Sequence, residues 1–216
     1  MNKIKMRSGS LLIPEKNWVG LDEINTEPKI LNHKLFDDAF EEILKQYTPK
    51  KDMVLLSLCT KTRPYSKSTK WKYLSKFRTY CDLVVVSSGG IIPEPFWGQY
   101  PFYEYDGLDK DGDELYCQKM EYRLTTFLNK FQYKYVVANF RPNLRNTNVA
   151  HKVLENLKNN NIIEDYVVVP SIDEYKKIQE NGFVRGKPNP DIDPIVLNKI
   201  ISFIGDHKKL KENNYF

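Results

Sequence analysis

Four short, largely apolar runs limit what this chain can fold into: Met53–Leu58, Leu83–Val86, Tyr135–Phe140 and Asp165–Val169. Each is too short for a helix. None shows the strict alternation of a strand with one wet face, so each reads as a strand covered on both sides, the habit of parallel sheets. Amphipathic stretches separate them. From His33 to Tyr47 the residues Leu35, Phe36, Ala39, Phe40, Ile43 and Leu44 recur at helical spacing, with Asn32 as the expected cap and Thr48-Pro49 as the stop. A second helix carries Trp71, Leu74, Phe77 and Cys81 inward, and a long third one runs from about Asp113 to Gln132. Further helices are expected from Val149 to Leu157, from Pro170-Ser171 to near Gly182, and from Ile195 to about Lys209. Strands alternating with helices predict an α/β fold, a three-layer α/β/α sandwich on a mainly parallel four-stranded sheet.

The domain boundaries follow from the same pattern. Residues 1–30 read as a lead or arm, 31–182 as the α/β core domain, and 183–216 as a Gly/Pro-rich connector and a C-terminal helix packed on the core. A chain of 216 residues can bury about 70% of its unfolded surface, enough to fold without staples. Cys59, Cys81 and Cys117 are too few and too scattered for a disulfide framework or a zinc cage, and they suit a reducing, cytoplasmic setting. Leu11-Leu12-Ile13 is far short of a signal-peptide core, and no stretch reaches the length of a membrane span. His33, His151 and His207 fall on separate helices without metal-ligand spacing, so neither a metal nor a cofactor is expected.

Function is signalled where the first strand meets the second helix. From Lys61 to Arg78 there are seven cations (Lys61, Arg63, Lys67, Lys70, Lys72, Lys76 and Arg78) and no acid, although the chain as a whole is only +5. A local basic patch at a helix start is suited to phosphate, so nucleic acid is the expected partner. Lys67 and Lys70 project onto the inward arc of the helix, and Lys72 and Lys76 onto its wet face. One reversal of strand order would open a crevice beside the carboxyl ends of the first and third strands. Cys59–Tyr65 and the second cationic turn, with Arg141 and Arg145, would line it.

Several residues there could carry chemistry. Cys59, at a strand end among cations, could be a nucleophile or simply a small buried residue. The loop from Gly89 to Gly112 holds Trp97, Tyr100 and Tyr105, which could stack on a flat base or plug the core, and the acids Glu94 and Asp106. A carboxylate among aromatics could serve as an acid or base, or bind the edge of a purine-like ring. Asp106 is the acid expected to act beside Cys59. Arg63, stiffened by Pro64, is expected to clamp a planar anion. Ser88 and Gly90, at the end of the second strand, would lie beside it.

Two blocks of this sequence resemble the core domain of archaeosine synthase and its relatives, which act on the 7-deazaguanine base of tRNA. Cys59, Arg63-Pro64-Tyr65, Ser68 and Trp71 are similar to the family pattern C-x3-K-P-Y-x2-S-x2-H. Gly90-Ile91-Ile92-Pro93, followed by Tyr100-Pro101 and Tyr105-Asp106, is similar to G-V-V-P and Y-P-x3-Y-D. The resemblance covers roughly residues 33–170. It implies a uracil-DNA-glycosylase-like fold and a transferase acting on a 7-deazaguanine in tRNA; Ser68 of the first block is expected in the base pocket, where Tyr65 or Tyr105 would cover a face of the base. Arg63 stands where the family has lysine and Trp71 where it has histidine, so proton transfer or adduct formation at those positions would be lost. Family members commonly carry a transglycosylase-like domain and a PUA domain, so a separate transglycosylase or PUA-domain protein is an expected partner. Alternatives are a glycosylase-like or nucleotide-binding protein acting on modified DNA, and a non-catalytic RNA-binding partner of a transglycosylase.

Overall fold

The computed structural model describes residues 12–19, 33–103, 114–142, 144–180 and 189–208. Its sheet has five strands: β1 (Met53–Leu58), β2 (Asp82–Ser87), β3 (Gly90–Pro93), β4 (Tyr135–Asn139) and β5 (Asp165–Val169). They lie in the order β3-β2-β1-β4-β5. β1 pairs in parallel with β2 on one side (Leu55 opposite Leu83) and with β4 on the other (Leu55 opposite Val137). Every β1 residue from Met53 to Ser57 is buried, as an apolar strand with both faces covered must be.

The fifth strand corrects the four-strand expectation. Gly90-Ile91-Ile92-Pro93, read from the sequence as the start of a long loop, turns back and pairs antiparallel with β2, Ser87 opposite Gly90 and Val84 opposite Pro93. The reversal takes only Ser88 and Gly89 between the strands. Gly90 has φ of 146°, which a residue with a Cβ rarely adopts, and the Ser87 hydroxyl accepts from the Gly89 N–H at 3.1 Å.

Six α-helices stand among the described residues: α1 (Lys34–Gln46), α2 (Thr69–Leu74), α3 (Glu114–Phe131), α4 (Arg145–Asn159), α5 (Ile172–Glu180) and α6 (Pro194–Lys208). α1 packs on β3 and α3, and α3 packs on α4. α2 and α6 meet through a tight turn at Pro190–Ile192, and α6 also covers β4 and β5. α1 buries Phe36, Ala39, Phe40 and Ile43 along one stripe, and His33 caps it, its Nδ1 accepting from the Leu35 N–H at 3.2 Å. Asn32 lies outside the described residues.

The amino edge of the sheet is sealed by a hydroxyl chain. The Tyr47 and Tyr133 hydroxyls meet at 2.8 Å, and Tyr133 donates to Asp82 at 3.0 Å. Burial pushes both phenols well above the usual tyrosine range, so they stay protonated. The described part of the lead packs as an arm: Trp18 stacks on Tyr100 with centroids 4.8 Å apart, and the Tyr100 hydroxyl donates to the Val19 carbonyl at 3.0 Å. No helix among the described residues is long and apolar enough to cross a membrane.

Candidate functional site

The chain moves from β1 to one side of the sheet through α2, and later returns to place β4 and β5 on the other. The reversal falls between β1 and β4, where a doubly wound sheet opens its ligand crevice. β1 delivers Cys59 to that edge, its N–H donating to the Val86 carbonyl at 2.9 Å, and β4 delivers Asn139. The Ser57 hydroxyl donates to the Asn139 carbonyl at 3.2 Å and so ties the two strand ends together.

Over this edge lies a buried charge cluster. Lys70, in the first turn of α2, turns back beneath the helix, and its Nζ donates to the Leu58 carbonyl at 2.6 Å and to Asp191 Oδ2 at 3.0 Å. Arg141, two residues past β4, donates from Nε to Asp191 Oδ1 at 2.8 Å and from Nη2 to Asn189 Oδ1 at 2.8 Å. Asn139 Nδ2 donates to the Asp191 carbonyl at 2.8 Å. The Lys70 and Asp191 side chains are 2% and 4% exposed, so neither charge would be tolerated alone. Burial works to raise the Asp191 pKa, but the Lys70 and Arg141 cations outweigh it and hold the carboxyl below the usual range. Burial pulls the Lys70 ammonium down, with Asp191 opposing, and Cys59 lies within its electrostatic reach.

In the segment between β1 and α2 the Arg63 guanidinium carbon lies 4.3 Å from the Tyr65 ring centroid, with Nε and Nη1 shielded from solvent. Tyr65 is fully buried and meets Trp97 edge-on at 6.2 Å. Trp97 donates its indole N–H to the Ile92 carbonyl at 2.9 Å, and its ring lies 4.6 Å from that of Trp71. The Trp71 indole N–H is buried and finds no acceptor among the described residues, an omission that costs about 1–3 kcal/mol.

Of the expected site residues, Cys59, Lys70 and Arg141 meet at this edge around Asp191, Arg63 and Tyr65 pack on each other and toward Trp97, and Ser88 and Gly90 lie at the end of β2 and the start of β3. The expectation for Glu94 is corrected: antiparallel β3 carries it to the amino edge, where it pairs with Arg78 through two hydrogen bonds. Tyr100 lies under the arm, out of reach of a ligand. Ser68 is occupied as the cap of α2, accepting from the Trp71 N–H at 3.2 Å. Tyr65 has no open face for a base, because Arg63 and Trp97 enclose it.

The cations divide in a way the helical projection half foresaw. Lys70 points inward and pairs with Asp191, so it is not part of the exposed rim. Lys67 is exposed rather than inward, because a separate 3-10 turn, Tyr65–Lys67, precedes α2. Lys61, Lys72, Lys76 and Arg145 are exposed as a phosphate-facing rim requires. Tyr105 and Asp106 lie outside the described residues.

Sequence reasoning missed Asp191 and Asn189, which lie in a stretch read as connector. Asn189-Pro190 is a turn signal, but nothing in the sequence links Asp191 to a lysine 121 positions away. It also missed Arg123, which joins Asp37 on α1 at 2.8 Å to the Ser88 carbonyl at 3.1 Å, and so braces the hairpin beside Cys59. Among the described residues there is no group of three His, Cys, Asp or Glu side chains that could hold a metal ion.

The fold and this edge define an α/β domain with a buried charge cluster at the switch point of its mixed sheet. The chain belongs to the family described as Domain of unknown function (DUF5591), which matches residues 37–179. It is similar to a crystal structure of AF0587, described as a protein of unknown function, at 20% identity and a TM-score of 0.45, covering 76% of this chain and 56% of that one. The chain thus spans little more than half the length of that relative. Among curated proteins none matches.

Proposed function

We propose that this chain is an archaeosine-synthase-like module of uracil-DNA-glycosylase-like fold that recognises a 7-deazaguanine base in tRNA. The observation that supports the reading is the position of Cys59 at the end of β1, within electrostatic reach of the buried Lys70, with Arg63 and Tyr65 of the same family-like block packed on each other. Their neighbours fit the same use. Arg63 sits with two of its nitrogens screened from water, as an anion clamp should, and the exposed Lys61, Lys67, Lys72, Lys76 and Arg145 provide the charge that tracks a nucleic-acid backbone. In this reading Cys59 is the candidate reactive group and Asp106 the acid that reads the base edge, in a cytoplasmic setting.

The test is binding of two tRNAs, one with 7-deazaguanine and one with guanine at the same position, to wild type and to Cys59→Ser. Tighter binding of the deazaguanine tRNA is expected from both proteins, and conversion of the base from wild type alone. Equal affinity for the two tRNAs would sink the reading.

A second reading, a non-catalytic RNA-binding partner of a separate transglycosylase or PUA-domain protein, is favoured by Trp71. An indole buried where the family has histidine cannot exchange protons. Base-selective binding with no conversion by wild type would select it.

A further inference from the structure

Lys70 and Arg141 hold an anion, and that anion comes from outside the family-matched span. Lys70, Asn139 and Arg141 all lie within residues 37–179, whereas Asp191 and Asn189 belong to the turn that precedes α6. Two cations brought to the switch point, each meeting a different oxygen of one carboxylate at 3.0 and 2.8 Å, reproduce the way a protein grips a bound oxyanion. A fastening for the turn alone has no need of them, since a buried ion pair is often no more stabilising than apolar residues of the same volume.

A second observation points the same way. Asn139 is fully buried and donates to the Asp191 carbonyl, yet its own Oδ1 has no hydrogen-bond partner among the described residues. An acceptor left idle beside two cations suits a ligand with both negative oxygens and an O–H, such as a singly protonated phosphate.

We propose that Lys70, Arg141 and Asn139 form a phosphate receptor of this domain, and that Asp191 occupies it as a built-in substitute ligand. Phosphate enters when the turn at 189–192 withdraws, and Asp191 competes with it as a tethered anion of high effective concentration. The receptor requires no particular base, so it stands or falls separately from the reading above.

The test uses inorganic phosphate against wild type, Asp191→Ala and Asp191→Ala/Arg141→Ala, by calorimetry at matched ionic strength, with acetate as the comparison anion. Removal of the tethered competitor should tighten phosphate binding by about tenfold or more, and the second substitution should abolish the gain. Equal phosphate affinity in wild type and Asp191→Ala, or a gain that survives loss of Arg141, would overturn the proposal. Stronger binding of acetate than of phosphate would overturn the phosphate assignment. If Asp191→Ala does not fold, hydrogen exchange on wild type decides. The Asp191 and Ile192 N–H groups bond to Asn189, and phosphate, but not chloride, should speed their exchange. Unchanged exchange would refute the receptor.

Discussion

The Lys70 ammonium lies 3.0 Å from the Asp191 carboxylate in a setting that water barely reaches, and so joins the first turn of α2 to the turn before α6. Arg141 completes the charge balance from the β4 side, with 38% of its side chain exposed. Lys70 and Asp191 therefore depend on each other more than Arg141 depends on either.

That dependence has a measurable asymmetry. Lys70→Met alone, which leaves the Asp191 carboxylate with only Arg141, should destabilise the fold by about 3–5 kcal/mol in urea titrations. The double change Lys70→Met/Asp191→Leu should cost clearly less than the sum of the single ones, because no buried charge remains. Additive losses would mean that the pair is not coupled.

The same carboxylate sets an acid limb. Burial acts to raise the Asp191 pKa, the two cations lower it by more, and the folded value lies below the unfolded one of about 3.9. A depressed acid contributes stability above its unfolded pKa and loses it as pH falls through the folded one. Wild type should therefore lose melting temperature more steeply than Asp191→Asn between about pH 5 and pH 2. Parallel curves would show that Asp191 binds protons alike in both states.

Trp71 offers a test of an unpaired donor. Trp71→Phe removes ring volume, which opens a cavity, but also removes an N–H that lacks an acceptor, and each effect is worth about 1–3 kcal/mol. The two oppose, so the variant should fall within about 1 kcal/mol of wild type, against about 3–5 kcal/mol for an ordinary Trp→Ala core deletion. A loss near the larger figure would mean that the indole N–H is paired.

The exposed rim is tested by salt. Lys72→Glu and Lys76→Glu should weaken tRNA binding and lower the slope of log K against log salt by about one for each lost phosphate contact. Their unfolding midpoints should be unchanged, since both side chains are exposed. A binding slope equal to that of wild type would leave these lysines as a solvated face.

How much of this was legible in the sequence depended on whether a signal was local. β1, β2, β4 and β5 announced themselves as apolar runs, because strand burial is written in neighbouring residues. The reversal of strand order between β1 and β4 followed from crossover rules. β3 was hidden because Gly90–Pro93 is only four residues long and opens a Pro-rich stretch that otherwise reads as loop, and its reversal also misplaced Glu94. Asp191 was invisible for a different reason. Its partners are fixed by how α6 closes on the sheet, and no periodicity encodes a contact across more than a hundred residues.

The docking of α6 bears on how the family's domain can be cut and joined. Val196, Leu197, Ile200, Phe203 and Ile204 of that helix are buried, yet they lie beyond the span shared with the family. At about 1.5–3 kcal/mol each, their burial is comparable in gross terms with the whole net stability of a domain. Any protein that keeps only the shared span must cover the strip over β4 and β5 with some other piece of chain or with a neighbouring domain, and that borrowed cover would bring its own residues to the mouth of the crevice. The part that varies between such proteins would then be the part that stands where Asp191 meets Lys70 and Arg141 here.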